Sequence, residues 1–185
     1  MKISSWITLL TTLLCVGCAA IQVAQDYDPA TDFSVLQTFA WTSSQQAATG
    51  DPRIDSPLRD TRIRSAVETQ LSTRGYRRAD EAPQFRIQYQ YLLQRTISAH
   101  GPTIGFGLGT GHYGRYGGVG IGTGTRVSEH DEGTLIIDFT APDSNTLLWR
   151  GSGTHYYTEH NDPAKTTRDL DLLVQKILSQ FPPER

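Results

Sequence analysis

The sequence predicts an α+β domain: an antiparallel β-sheet with two helices packed on one face, plus a Gly-rich β-hairpin. Three observations predict it. Apolar and polar residues alternate from Phe85 to Gln94 and again from Leu135 to Phe139, the period of a half-buried strand. Two other stretches set their apolar residues at helical spacing. A third alternates glycine with larger residues, which is also a strand period.

In chain order, Ile21 to Tyr27 and Gln37 to Trp41 read as short strands. The first helix opens at Ser56-Pro57, a cap followed by a proline suited to a first turn, and runs to Arg74, where Gly75 ends it. Its stripe is Ile63, Ala66, Val67 and Leu71, with Arg59, Arg62, Arg64 and Glu68 outside it. The strand from Phe85 to Leu93 comes next. Leu135 to Phe139 and Leu147 to Tyr157 form two arms about the turn Asp143-Ser144-Asn145. Asp162 caps the second helix, Pro163 opens it and Pro182-Pro183 stop it. Leu170, Leu173, Val174, Ile177, Leu178 and Phe181 lie on one stripe.

Residues 101–126 hold the Gly-rich hairpin, read as an insertion; Gly101 to Gly124 carry 11 of the 17 glycines. Gly109 to Gly114 spell G-x-G-x-x-G, but a dinucleotide loop needs a buried strand before it and a helix after it. Neither is present, no Walker lysine follows, and nucleotide binding is excluded. Alternation instead sets Thr110 opposite Val119, Leu108 opposite Ile121 and Phe106 opposite Thr123, about a loop from His112 to Gly117. One face of that ribbon is nearly bare. It is either a weakly specified hairpin or a surface for close approach of another layer, a partner strand or a membrane. Tyr113, Arg115 and Tyr116 at its tip form a candidate interaction loop.

The N-terminus, MKISSWITLLTTLLCVGCAA, has a basic start and an uncharged, mostly apolar stretch from Ile3 to Leu14. That is the layout of a secretory signal and is too short for a membrane span. Cys15-Val16-Gly17-Cys18 is a C-x-x-C pair without the second pair or βαβ pattern that zinc or redox chemistry needs. The tetrapeptide resembles the lipobox of bacterial lipoproteins, although Cys15 stands where leucine is preferred. The resemblance implies a signal peptide over 1–17, cleavage between Gly17 and Cys18, and acyl chains (palmitate among them) on Cys18. It also implies a tether over 18–26 and a single periplasmic domain within 18–185. Ala19, not aspartate, after the cysteine implies the outer membrane. Several acyl chains, at about 0.8 kcal/mol per buried methylene, hold far more firmly than one.

The remaining composition narrows the function. A formal net charge of −2 without Lys/Arg runs argues against nucleic acid as a partner. His155 and His160 frame HYYTEH, but on a continuous strand they face opposite sides and need a bend to share a metal. Ser128 to Glu132 gathers a hydroxyl, His130 and acids, yet strand neighbours do not converge. No nucleophile elbow and no H-E-x-x-H appears, so no catalytic residue and no cofactor is expected.

Four stretches carry a resemblance: Asp26 to Trp41, Leu71 to Tyr89, Gly133 to Gly151 and Ile177 to Pro183. They resemble the bacterial lipoproteins grouped as domain of unknown function 4136, through Phe-x-Trp at Trp41, Arg-Gly-Tyr at Gly75 and Tyr76, Gly-Thr-Leu, and Leu-Trp-Arg-Gly at Trp149 and Arg150. The resemblance implies a lipid-anchored periplasmic α+β domain with structural tryptophans and names no activity. The expectation is a non-enzymatic envelope lipoprotein that touches the membrane through its lipid and an envelope protein through its domain. The alternative is a small-ligand or metal-binding module using His155, His160 and the Glu129 to Glu132 loop. A periplasmic hydrolase built on His130 is a third reading.

Overall fold

The computed structural model describes residues 21–42, 46, 48–106 and 121–184, with the backbone alone over 98–106 and 121–128. Gly17, Cys18 and the tip residues Tyr113, Arg115 and Tyr116 lie outside the described residues. The elements are β1 (Gln22–Tyr27), a 3-10 turn (Phe33–Val35), β2 (Thr38–Trp41), α1 (Pro57–Thr73), β3 (Arg77–Arg78), β4 (Phe85–Phe106), β5 (Ile121–Thr140), β6 (Leu147–Tyr156) and α2 (Pro163–Leu178). Six strands form one sheet in the order β1-β6-β5-β4-β2-β3. The α+β class therefore holds, with both helices packed against the same buried face.

Period two decides which face is buried. Phe85, Ile87 and Tyr91 of β4, Leu135, Ile137 and Phe139 of β5, and Trp149 of β6 are all essentially inaccessible. The stripes of α1 and α2 complete this core, with Phe39 and Phe181. Full burial of one such side chain contributes roughly 1.5–3 kcal/mol, so this face dominates the stability. The opposite face carries the polar row Gln88, Asp138 and Arg150, adjacent in register. Arg150 grips Asp138 through Nε and Nη2 at 2.6 and 2.7 Å.

Both helices begin and end where their sequences predict. Asp162 accepts a hydrogen bond from the Ala164 amide at 2.9 Å and so caps α2. Ser56 precedes Pro57 in extended conformation but makes no side-chain cap bond. At the end of α1, Gly75 adopts φ +89. The Gly75 and Tyr76 amides return to the Ser72 and Leu71 carbonyls at 3.0 and 3.1 Å, a Schellman closure that needs a left-handed residue. Tyr76 then packs on Phe85 and Phe181.

Four features depart from the sequence reading. The sheet is mixed, because β2 runs parallel to both β3 and β4, with α1 as the crossover. Residues 22–26, read as part of a tether, belong to β1, where Gln22 pairs with Thr154. The Gly-rich hairpin continues the two central strands and does not stand apart from them: β4 and β5 run on from core to ribbon. Finally, Phe106 pairs with Ile121, not Thr123, and Ile104 takes Thr123. A register irregularity between His100 and Thr103, beside Pro102, separates the two pairing frames. Glycine still meets glycine at Gly105 and Gly122. Thr110, Leu108 and Val119 lie outside the described residues.

Candidate functional site

At the edge of the core where β4, β5 and β6 leave the helices, a cavity of about 230 Å³ opens. Tyr91, Arg59, His155, Tyr157 and His160 are among its lining residues. Tyr91 and His155 sit on the buried face of β4 and β6, with β5 between them. The β5 residue level with His155 is Gly133. A Cβ on Gly133 would lie 2.2 Å from the Tyr91 hydroxyl and 2.9 Å from His155 Nε2. Only glycine there lets the two side chains meet across the middle strand, which they do at 2.9 Å.

Burial sets the protonation of this pair. It pushes the Tyr91 hydroxyl up to about 12, against the opposing pull of the Arg59 cation. It lowers the His155 imidazole, against a backbone hydrogen bond at Tyr156 and the charge of Asp169. Both groups are therefore neutral at neutral pH, and the Tyr91 hydroxyl and His155 Nε2 share one hydrogen bond whose donor follows the imidazole tautomer.

Arg59, in the first turn of α1, closes the site. Its guanidinium stands 5.0 Å from the Tyr91 ring centre and 5.5 Å from that of Tyr157. Nη2 donates to the Arg53 carbonyl at 2.8 Å and to the Tyr157 hydroxyl at 3.3 Å, while Nε is buried without a partner. At the rim, His160 Nε2 meets Asp169 at 2.7 Å. Arg53 pairs with Asp51 and with Asp131, each at 2.7 Å, which holds the Asp51 carboxyl below its ordinary range.

The chain thus brings His155 and His160 to one cavity, because β6 ends at Tyr156 and the segment before α2 turns back. Each Nε2 is already engaged, one by Tyr91 and the other by Asp169. Among the described residues no group of three or more His, Cys, Asp or Glu gathers at metal-binding distance. His130 is placed elsewhere. It meets Glu132 at 3.2 Å and stacks on Tyr156, while the Thr96 hydroxyl donates to the other Glu132 oxygen at 3.2 Å. The carboxylate stands between His130 and the Thr96 hydroxyl, so this hydroxyl is not presented to the imidazole.

The signature residues have structural settings. Trp149 is fully buried against Phe139 and Phe181, with its N–H donating to Gln25 at 3.1 Å. Trp41 donates to Glu68 at 2.7 Å, lies edge-on to Tyr89, and carries the Arg64 cation 4.3 Å from its ring centre. Sequence reading missed Tyr91, Arg59 and Gly133 as a group. The available signals were an arginine just outside the α1 stripe and a tyrosine at a core position, and neither indicates the other.

Fold and cavity together define a small α+β domain with an open six-stranded sheet, helices on one face and a tyrosine–histidine–arginine pocket at one end. The chain belongs to the family described as domain of unknown function DUF4136, which matches residues 23–183. Among solved structures, a PDZ domain protein from Parabacteroides distasonis superposes with a TM-score of 0.52 at 11% identity, over 98% of this chain and 41% of that one. This chain therefore spans about two-fifths of that protein's length, and the likeness is one of fold. A PelC dodecamer from Paraburkholderia phytofirmans gives a TM-score of 0.46 at 10% identity, over 90% of this chain and 100% of that one. No curated protein matches the chain.

Proposed function

We propose that the chain is a lipid-anchored bacterial envelope protein, held at the outer membrane through Cys18 and facing the periplasm, whose domain is a non-enzymatic binding or assembly module. The observation that carries this reading is the short distance from anchor to fold. β1 begins at Gln22, four positions after Cys18, and Ile21 already packs on the core. Four extended residues reach about 14 Å, so an acylated Cys18 holds the domain against the bilayer surface. Metabolic palmitate labelling of the wild type and of Cys18→Ala tests it: label in the first and none in the second is expected. Equal labelling, or none in either, overturns the anchor. Crosslinking in intact cells followed by mass spectrometry then identifies what the domain touches.

The cavity supports a second reading, a small-ligand module. The unpartnered Arg59 Nε and the neutral Tyr91–His155 pair offer a polar ligand one cationic donor beside two aromatic rings. Native mass spectrometry of the purified full chain tests this: a retained small molecule, lost in Arg59→Met, is expected, and an unliganded mass in both removes the reading.

A further inference from the structure

The direction of β1 and the length of the central hairpin together place a second element at the membrane. Gln22 is level with Thr154, Thr134 and Leu92 across four strands. β1 runs antiparallel to β6 and therefore in the direction of β5. The chain preceding Gln22 thus leaves the sheet at the end from which β4 and β5 project. From Leu93 to Phe106 the two strands stay paired, an arm of about 45 Å at about 3.3 Å per residue. An anchor at Cys18 keeps the lipid within about 14 Å of the same row. A straight ribbon of that length does not fit in that gap.

The sequence changes character where the ribbon would meet lipid. Arg95, Glu129, Asp131 and Glu132 occupy the first steps beyond the row. From Ile97 to Ser128 the chain has no acidic residue, and its only Lys or Arg residues are Arg115 and Arg126. Ile97 and Tyr156, at this boundary, are exposed apolar side chains, 68% and 60% accessible. Beyond it, Ile104 and Phe106 on one strand and Ile121 on the other alternate with Gly105 and Gly122. A bilayer-crossing strand needs about 9–11 residues with such a dyad period, across a core about 30 Å thick. The ribbon has them. Among the described residues no helix is long and apolar enough to cross a membrane, a statement that does not reach strands.

We propose that the β4–β5 hairpin crosses the bilayer that Cys18 is anchored to, as one hairpin of a β-barrel formed by several copies of this chain. The copies follow from hydrogen bonding. The β6 side bonds β5 no further than Asp131, where the Tyr157 amide ends the contact, and β2 pairs with β4 no further than Ile87. A lone hairpin would leave both outer rows of N–H and C=O groups in lipid, at several kcal/mol for each unpaired group, and only closure with neighbouring hairpins satisfies them. This rests on the anchored reading above, and the test separates the two.

Once the signal is removed, Cys18 is the only cysteine in the chain. Tyr113→Cys and Arg115→Cys therefore place a single free thiol between the two arms, and Ser144→Cys places one in the exposed turn at the opposite end of the sheet. In intact cells a membrane-impermeant maleimide should label either tip variant and should label Ser144→Cys only after the outer membrane is permeabilised. Crosslinking the full chain in isolated membranes should give a ladder of multimers. Tip thiols that also require permeabilisation, or a monomer alone after crosslinking, overturn the proposal. Palmitate labelling of the same variants reports on the anchor separately, so a lipidated chain with a periplasmic tip rejects the crossing and keeps the anchor.

Discussion

Gly133 is the residue on which the pocket depends. An added methyl would meet the Tyr91 hydroxyl and His155 Nε2 at distances no real Cβ tolerates. Gly133→Ala should break that hydrogen bond and cost about 1–3 kcal/mol, as overpacking of a tight core does. Urea unfolding of wild type and variant measures it, and an unchanged midpoint would mean that the pair relaxes freely. The same titrations carry a pH signature. Burial lowers His155 in the folded state, so the unfolded chain takes up its proton first as pH falls through about 6.5. Stability from keeping His155 neutral is complete above that value and is lost below it. His155→Gln should flatten that part of the profile. Two further glycines act as Gly133 does: Gly151 and Gly153 leave β6 bare where Ile177 and Leu173 of α2 press down, at 2.6–2.9 Å from an added Cβ.

At the scale of elements, the helices and the central strands behave differently. α2 is defined by its own sequence, with a capping Asp162, an opening Pro163 and a stripe that faces the sheet. β4 and β5 are defined by each other. Their inner halves supply Phe85, Ile87, Tyr91, Leu135, Ile137 and Phe139 to the core, whereas no described residue between Leu93 and Leu135 is among the buried core residues. Replacing residues 98–128 by a two-residue Asn-Gly turn, which then closes on the paired Ile97 and Glu129, should therefore leave the thermal midpoint within a few degrees of wild type. A large fall in calorimetry would show that the ribbon supports the core. The same truncation should abolish the crosslinked ladder while leaving palmitate labelling intact.

At the scale of the molecule, the candidate functional features gather at one end. The start of β1, the ribbon, the N-termini of both helices and the Tyr91–His155–Arg59 cavity all lie beyond the Leu92–Thr134–Thr154 row or beside it. The opposite end holds the Ser144 turn, the Gly75 closure and the Phe181 aromatic cluster, where Phe181 touches Phe33, Tyr76, Phe85, Phe139 and Trp149. One end is packed and capped, and the other presents the ribbon and the cavity.

Much of this was legible in the residues. Stripes, caps, turn residues and strand periods are local, and they located both helices and the long strands because the physics behind them acts over a few residues. The glycine alternation likewise predicted a strand ribbon, and its described parts, up to Phe106 and from Ile121, are paired strand. What tertiary structure alone decided was relative placement. Parallel pairing of β2 with β4 depends on where α1 delivers the chain. The meeting of Tyr91 with His155 spans 64 positions and depends on a glycine in a third strand. That the chain before Gln22 and the ribbon leave the sheet at the same end depends on the direction in which an edge strand joins the sheet. Those relations are set by sheet order and register, and no local pattern in a single chain encodes them.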